Sequence, residues 1–294
     1  MSPRIFPAPC IEPSQGRAGG GGGTGIASTF MPRSYRSWQY DRPPMSPSVI
    51  SFLGGNGHCA ARLAASRAFL PAGIELIEAE YPGFEERPRA VGLEAFLVEL
   101  EEDLEEAGPD LVYATGIGGL LALCLRARGA LAATPIVMQG PVLWGLERRW
   151  MPRMMRFEPM QRVLSWIFAS AAFQHRFVRK YFTRPPDPET VAAFFDGYSR
   201  CSALPDFFSW LTPALLRLLE AELAERPQAL DDIQVWWGGR DAVVSRRELD
   251  WTAAALGHRW PLRVFPEWGH YPMIDEPKAW AEALGGAVAD AAAV

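Results

Sequence analysis

The sequence predicts an α/β fold, a mostly parallel sheet flanked by helices and interrupted by a helical insertion. Three observations lead there. From residue 47 onward, short aliphatic runs alternate with segments of helix length, and that alternation builds a parallel sheet with helices on both faces. The stretch from Leu111 to Leu120 runs from a strand through a glycine-rich turn straight into a helix, at the carboxyl ends of the strands where open α/β folds hold their ligands. Between Gly140 and Asp231 the alternation stops and the chain reads as helices broken by prolines. A chain of 294 residues with 49% hydrophobic content can bury one sizeable core around such a sheet.

Taken in order, residues 1–46 come first and are a different material, with five consecutive glycines (Gly19 to Gly23), many prolines and arginines, and little that could form a core. Such a segment cannot offset its ordering entropy, so a disordered tail is expected. Its arginines and few acids slightly resemble a transit peptide, without the amphipathic pattern. Met31 and Met45 are in-frame methionines, the second just before the first strand, and a mis-assigned start explains the tail equally well. Val49 to Leu53 is a buried-strand pattern, followed by a helical stretch from Cys59 to Phe69. Ile74 to Ala79 forms a second strand, ended by Tyr81-Pro82-Gly83. Leu93 to Glu106 is a helix with a solvated acidic face (Glu99, Glu101, Glu102, Asp103, Glu105, Glu106), closed by Gly108-Pro109. Leu111 to Ala114 is the third strand, Leu120 to Arg126 its helix, and Thr134 to Met138 the fourth strand. Residues 141–230 form the helical insertion, with Pro152, Pro159, Pro185, Pro186, Pro188, Pro205 and Pro213 as breakers. Ile233 to Trp237 and Leu262 to Phe265 are the last strands. The core thus comprises residues 47–140 and 231–294.

Composition narrows the function. A net charge of −5 argues against nucleic acid as a partner. The four cysteines (Cys10, Cys59, Cys124, Cys201) are far apart with no CxxC pair, so they read as reduced thiols of a cytoplasmic protein. No metal site and no cofactor is expected. No apolar run reaches the length of a transmembrane segment.

Four glycine-rich loops follow strands, and their residues carry the chemistry. The first is Gly54-Gly55-Asn56-Gly57-His58; the second is the turn Ala114-Thr115-Gly116-Ile117-Gly118-Gly119. The third is Gly238-Gly239-Arg240-Asp241, and the fourth Pro266-Glu267-Trp268-Gly269-His270-Tyr271-Pro272. In this order the chain resembles the α/β-hydrolase superfamily over about residues 47 to 290. The resemblance implies a nucleophile elbow at the second loop, with Ala114 and Gly118 as its small flanking positions. Gly116 then stands at the nucleophile position, where the family has Ser, Cys or Asp. A hydrogen cannot attack a carbonyl, so an acyl-enzyme is not expected. Glycine adopts the elbow's positive-φ conformation without penalty. Thr115 should face away from the site, and Cys124 lies about two helical turns on, so neither replaces the nucleophile.

The resemblance also implies that Asp241 accepts a hydrogen bond from His270 and leaves its other ring nitrogen free as a general base. The oxyanion donors would be the backbone N–H groups of Ile117 and of Gly55 or Asn56. Gly54 replaces the histidine usual at the start of the first loop; His58, on the same loop, could point inward, and a helix-start or solvent role is expected of it. The insertion matches the superfamily's helical lid. Trp144, Trp150, Trp166, Phe168, Phe173, Phe194, Phe195, Phe207, Phe208 and Trp210 serve its packing, or roof an apolar pocket for a hydrophobic small molecule. Arg148, Arg149, Arg153, Arg156 and Arg162 read as a solvated stripe, with anion steering or membrane contact as alternatives. Three functions compete: an enzyme using His270 and Asp241 without a covalent intermediate, a non-catalytic ligand-binding protein, and an ordinary esterase-like hydrolase whose nucleophile lies elsewhere. The oriented imidazole favours the first.

Overall fold

The computed structural model describes residues 47–56, 60–84, 86–149, 153–154, 157–200 and 204–292. The tail 1–46, with Cys10, the glycine run, Met31 and Met45, lies outside the described residues. So do Gly57, His58, Cys59, Trp150, Pro152, Arg156 and Cys201.

Among the described residues six strands form one sheet: β1 (Ser48–Leu53), β2 (Ile74–Glu78), β3 (Leu111–Thr115), β4 (Ile136–Gln139), β5 (Ile233–Gly238) and β6 (Leu262–Phe265). Their order is β2-β1-β3-β4-β5-β6 and every adjacent pair is parallel. The order reverses between β1 and β3, so the loops after these two strands diverge and leave a crevice at their carboxyl ends. β3 and β4 are buried along their whole length, as continuous apolar runs inside a parallel sheet must be.

One aromatic cluster holds the sheet to α11 (Pro277–Ala292). Phe52 and Tyr113 are register partners and stack at 5.6 Å, and Trp280 meets Tyr113 edge-on at 5.4 Å. Trp236 closes the cluster 5.8 Å from Tyr113. Elsewhere, α2 (Leu93–Ala107) and α3 (Ile117–Arg128) pack on each other, and α3 packs on β3. α3 is buried from Ile117 to Ala127, which is why it shows little amphipathic pattern. The acidic face of α2 is solvated only in part: Arg87 pairs with Glu99 and Asp103, and Arg128 with Glu94 and Glu101.

Two expected elements differ. The helix expected over Cys59 to Phe69 is a 3-10 turn, Ala60–Leu63, followed by the single turn α1 (Ala64–Arg67). α3 starts at Ile117, three residues before the expected Leu120, because the helix begins directly on the glycine turn. Gly118 and Gly119 permit this. A Cβ on Gly118 would lie 2.9 Å from the Gly54 carbonyl oxygen and closer still to that of Leu53, and one on Gly119 would meet Pro141 at 2.7 Å.

α9 (Arg247–Leu256) follows β5, and the segment between β4 and β5 contains α4 (Glu158–Ala169), α5 (Ala171–Tyr181), α6 (Pro188–Arg200), α7 (Leu204–Trp210) and α8 (Pro213–Glu225). The last of these buries Leu215, Leu216, Leu219 and Leu223 and packs on α3. α6 and α7 bring Phe194, Phe195 and Phe207 into the core. Trp166 on α4, by contrast, is 79% exposed, so it does not share the packing expected of the insertion's aromatics. No helix among the described residues is long and apolar enough to cross a membrane.

Gly118→Ala tests the close approach of α3 to β1. It should lower stability by about 1–3 kcal/mol, read as a lower urea midpoint with an unchanged slope.

Candidate active site

β3 ends at Thr115, and the next residue, Gly116, has φ 58° and ψ −121°. This left-handed backbone turns the chain by a sharp angle from strand to helix. It is pinned on both sides: Gly116 N–H donates to the Gln139 carbonyl at 3.3 Å, and its carbonyl accepts from Val142 N–H at 2.8 Å. A Cβ built on Gly116 would lie 3.7 Å from the Gly55 Cα and 3.8 Å from Nε2 of His270. Both are ordinary contacts, so a Cβ would meet no clash opposite the imidazole, although the positive φ strains any side chain there.

His270 and Asp241 come from the loops after β6 and β5. Gly238 and Gly239 let those loops touch: a Cβ on Gly239 would meet the Pro266 carbonyl oxygen at 2.7 Å. Arg240 N–H then donates to the Trp268 carbonyl at 2.9 Å. The His270 Nδ1 to Asp241 Oδ2 distance is 2.8 Å. The other carboxylate oxygen of Asp241 accepts the N–H groups of Val243 and Val244 at 2.8 and 2.9 Å. Burial alone would raise the Asp241 pKa, but His270 and these two donors outweigh it and hold the carboxyl below its ordinary range. An ionised Asp241 can only accept, so Nδ1 carries the proton and Nε2 presents a lone pair when the ring is neutral.

Gly140, which follows β4, sits under this pair with φ 48°. A Cβ there would lie 2.9 Å from Asp241 Oδ2 and 3.0 Å from His270 Nδ1. The His270 loop is tied to the helical segment as well. Asp275, in the single turn α10 (Pro272–Asp275), accepts from Thr183 N–H at 3.1 Å. Burial pushes its carboxyl up to about 6.

The first loop faces the elbow. The Tyr81 hydroxyl donates to the Gly54 carbonyl at 3.0 Å and fixes its start. Ile117 is the first residue of α3, so its N–H has no acceptor within the helix. A cavity of about 820 Å³ joins these parts. Gly55, Asn56, Gly116, Ile117, Asp241 and His270 all line it, so every residue the sequence singled out for the site meets in one place. Phe168 of α4, Phe177 and Tyr181 of α5, Tyr198 of α6 and Phe208 of α7 line it from the helical segment.

Some expectations are corrected. Thr115 does not face away but lines the cavity, with its hydroxyl donating to Gln139 Oε1 at 3.2 Å. Arg148 and Arg149 are not simply solvated, since both line the cavity. Arg149 pairs with the buried Glu248 at 2.7 Å, and Arg148 lies 4.0 Å over the Trp251 ring. Arg153 and Arg162 are exposed. Cys124 is wholly buried, and desolvation pushes its thiol up to about 12. Among the described residues no hydroxyl or thiol hydrogen-bonds the His270 ring. Sequence reasoning missed Arg62, Gly140, Tyr198, Glu248 and Tyr271 as parts of this site. Tyr271 and Gly140 could have been found, because Tyr271 lies inside the fourth loop and Gly140 marks where the strand–helix alternation stops. Arg62, Tyr198 and Glu248 carry no local signal.

A family model described as the alpha/beta hydrolase family matches residues 21–283. Comparison with curated proteins gives no match. Among solved structures, the chain is similar to a loop variant of a haloalkane dehalogenase from Bradyrhizobium elkanii. The identity is 18% and the TM-score 0.63, covering 84% of this chain and 90% of the other. A protein provisionally assigned as an aryl esterase, from Burkholderia cenocepacia, matches at 18% identity and TM-score 0.63, over 86% and 93% of the two chains. A bacterial membrane phospholipase A, a virulence factor, matches at 15% identity and TM-score 0.57, over 84% and 80%.

Two predictions test this geometry. Gly140→Ala should cost about 1–2 kcal/mol from its positive φ and push the imidazole off Asp241, seen as loss of the low-field Nδ1 proton resonance. The folded Asp275 pKa of about 6 lies above its ordinary 3.8, so between those values the folded chain binds a proton that the unfolded chain releases. Stability from this group is therefore lost as pH rises through that window. Asp275→Asn should show a smaller fall in Tm from pH 4 to pH 7 than the unmodified protein.

Proposed function

This chain belongs to the alpha/beta hydrolase family, and on that premise we propose that it performs general-base chemistry on an apolar small molecule without a covalent intermediate. The observation that carries the reading is the 2.8 Å bond from His270 to Asp241, beside an elbow residue that has no side chain. An oriented imidazole facing substrate space has a use in proton transfer, whereas a pure binding site gains nothing from it. The fold is shared with hydrolases, and the same frame serves other proton-transfer reactions once no acyl-enzyme is required.

Nε2 takes a proton from water or from an acidic carbon of the substrate, and Asp241 stabilises the imidazolium that forms. For ester hydrolysis, the water oxygen forms the new bond to the carbonyl carbon as its proton goes to Nε2. The developing oxyanion is held by N–H groups of Ile117 and of Gly55 or Asn56. Collapse breaks the bond to the leaving oxygen, which takes the proton back from His270. Proton abstraction at carbon uses the same base and the same donors for an enolate oxygen. The helices α4 to α7 act as a lid, and their aromatic side chains keep the site dry.

The test is turnover of short and medium acyl 4-nitrophenyl esters. The unmodified protein should react with no initial burst, and His270→Ala should lower kcat/KM by about 10²–10⁴-fold. A Cβ at position 116 would lie 3.8 Å from Nε2 without a clash, so Gly116→Ser, though strained by its positive φ, should add a burst and a covalent acyl adduct visible by mass. An unmodified protein that is silent beside an active Gly116→Ser would redirect the proposal from esters to another proton-transfer reaction. Silence in both, or turnover indifferent to His270→Ala, would sink the reading in favour of a binding protein.

A further inference from the structure

We propose that Arg62 is the subsite for a carboxylate, so that the substrate is an amphipathic carboxylic acid whose apolar body lies along the aromatic wall. This rests on the cavity being the substrate site, and it names one end of that substrate. Arg62 lines the cavity and is only 7% exposed. Its Nη1 donates to the Asn56 carbonyl and its Nη2 to that of Phe194, both at 3.2 Å, while its buried Nε has no partner. Among the described residues no carboxylate pairs with it. A guanidinium has five N–H donors, and two neutral carbonyls leave most of its charge uncompensated by protein groups.

The contrast with other arginines is informative. Arg149, in the same cavity, is neutralised by Glu248 at 2.7 Å. Arg126 is as deeply buried, but it donates to the Ala132 and Thr134 carbonyls at 2.7 and 2.6 Å and staples the end of α3. Arg62 is neither paired nor stapled as tightly. Its Cζ lies 4.0 Å over the Phe194 ring and 5.0 Å from the centroid of Tyr198. Rings on the guanidinium face leave its edge, and the edge is where a planar carboxylate docks with two parallel bonds. The Asn56 carboxamide oxygen is also buried without a partner at this end. Arg62 holds the carbonyl of Asn56, an oxyanion-loop residue, so the anion would anchor the substrate one residue from the reacting group.

Isothermal titration of the full chain with 4-phenylbutyrate and with 4-phenylbutanamide tests this. The acid should bind at least about tenfold more tightly, the worth of one charged hydrogen bond. Arg62→Met should erase the preference and Arg62→Lys should retain part of it, with circular dichroism reporting that each variant is folded. His270→Ala should keep the acid preference intact, so this result stands or falls apart from the general-base chemistry. Equal affinities for acid and amide, no saturable heat from either, or a full preference surviving in Arg62→Met would each overturn the proposal. If Arg62→Met fails to fold, Arg62→Lys decides alone: a preference undiminished from the unmodified protein overturns the assignment, and a reduced one supports it.

Discussion

Gly118 cannot carry a side chain, because its Cβ would fall on the carbonyl oxygens of Leu53 and Gly54. That close approach of α3 to the end of β1 is the constraint from which the rest of the site follows. It sets the start of α3 at Ile117, which leaves the first helical N–H pointing away from any intrahelical acceptor. It also forces the turn at Gly116 into φ 58°, and it brings the loop at Gly55 to within contact of that turn. The same device recurs around the cavity. Gly140, Gly238, Gly239 and Gly269 each touch a neighbouring loop where a Cβ would not fit. Four turns from four strands can converge on one imidazole only because their backbones are allowed to meet.

Electrostatics divides the cavity into two ends. At one, the Asp241 charge is balanced by His270 and two backbone donors, and the carboxyl stays ionised despite burial. At the other, Arg62 has aromatic cover and two long bonds to carbonyls. Aromatic side chains of α4 to α7 line the same cavity, and they lower the local dielectric so that both charges act over longer distances than they would in water. Tyr271 connects the ends, next to His270 in sequence, with burial raising its hydroxyl far above the ordinary range and the charges of Arg62 and Asp241 both felt there.

Much of this was legible in the sequence for local reasons. Strands such as Leu111–Thr115 announce themselves as unbroken apolar runs, and each of the four loops is marked by glycines that its turn requires. Asp241 and His270 stand inside those loops, so motif and position agree. What was not legible was set by contacts distant in sequence. Arg62 reads as an ordinary surface arginine until Phe194, 132 positions later, closes over it. Thr115 was expected to face away from the cavity, yet its hydroxyl meets Gln139 on the neighbouring strand. The helix expected after β1 shrank to a 3-10 turn and a single α-turn, because a propensity of so few residues is easily overridden by packing against α11.

By itself, the sequence determined the α/β alternation, the order of the loops and the absence of a side-chain nucleophile at Gly116, since each is a property of residue type and spacing along the chain. The tertiary structure alone decided that His270 and Asp241 lie 2.8 Å apart, that Gly140 forms the floor beneath them, and that Arg62 is buried beside the cavity on two carbonyls. Those are distances between segments that never meet in sequence, and only the packed sheet with its covering helices brings them together.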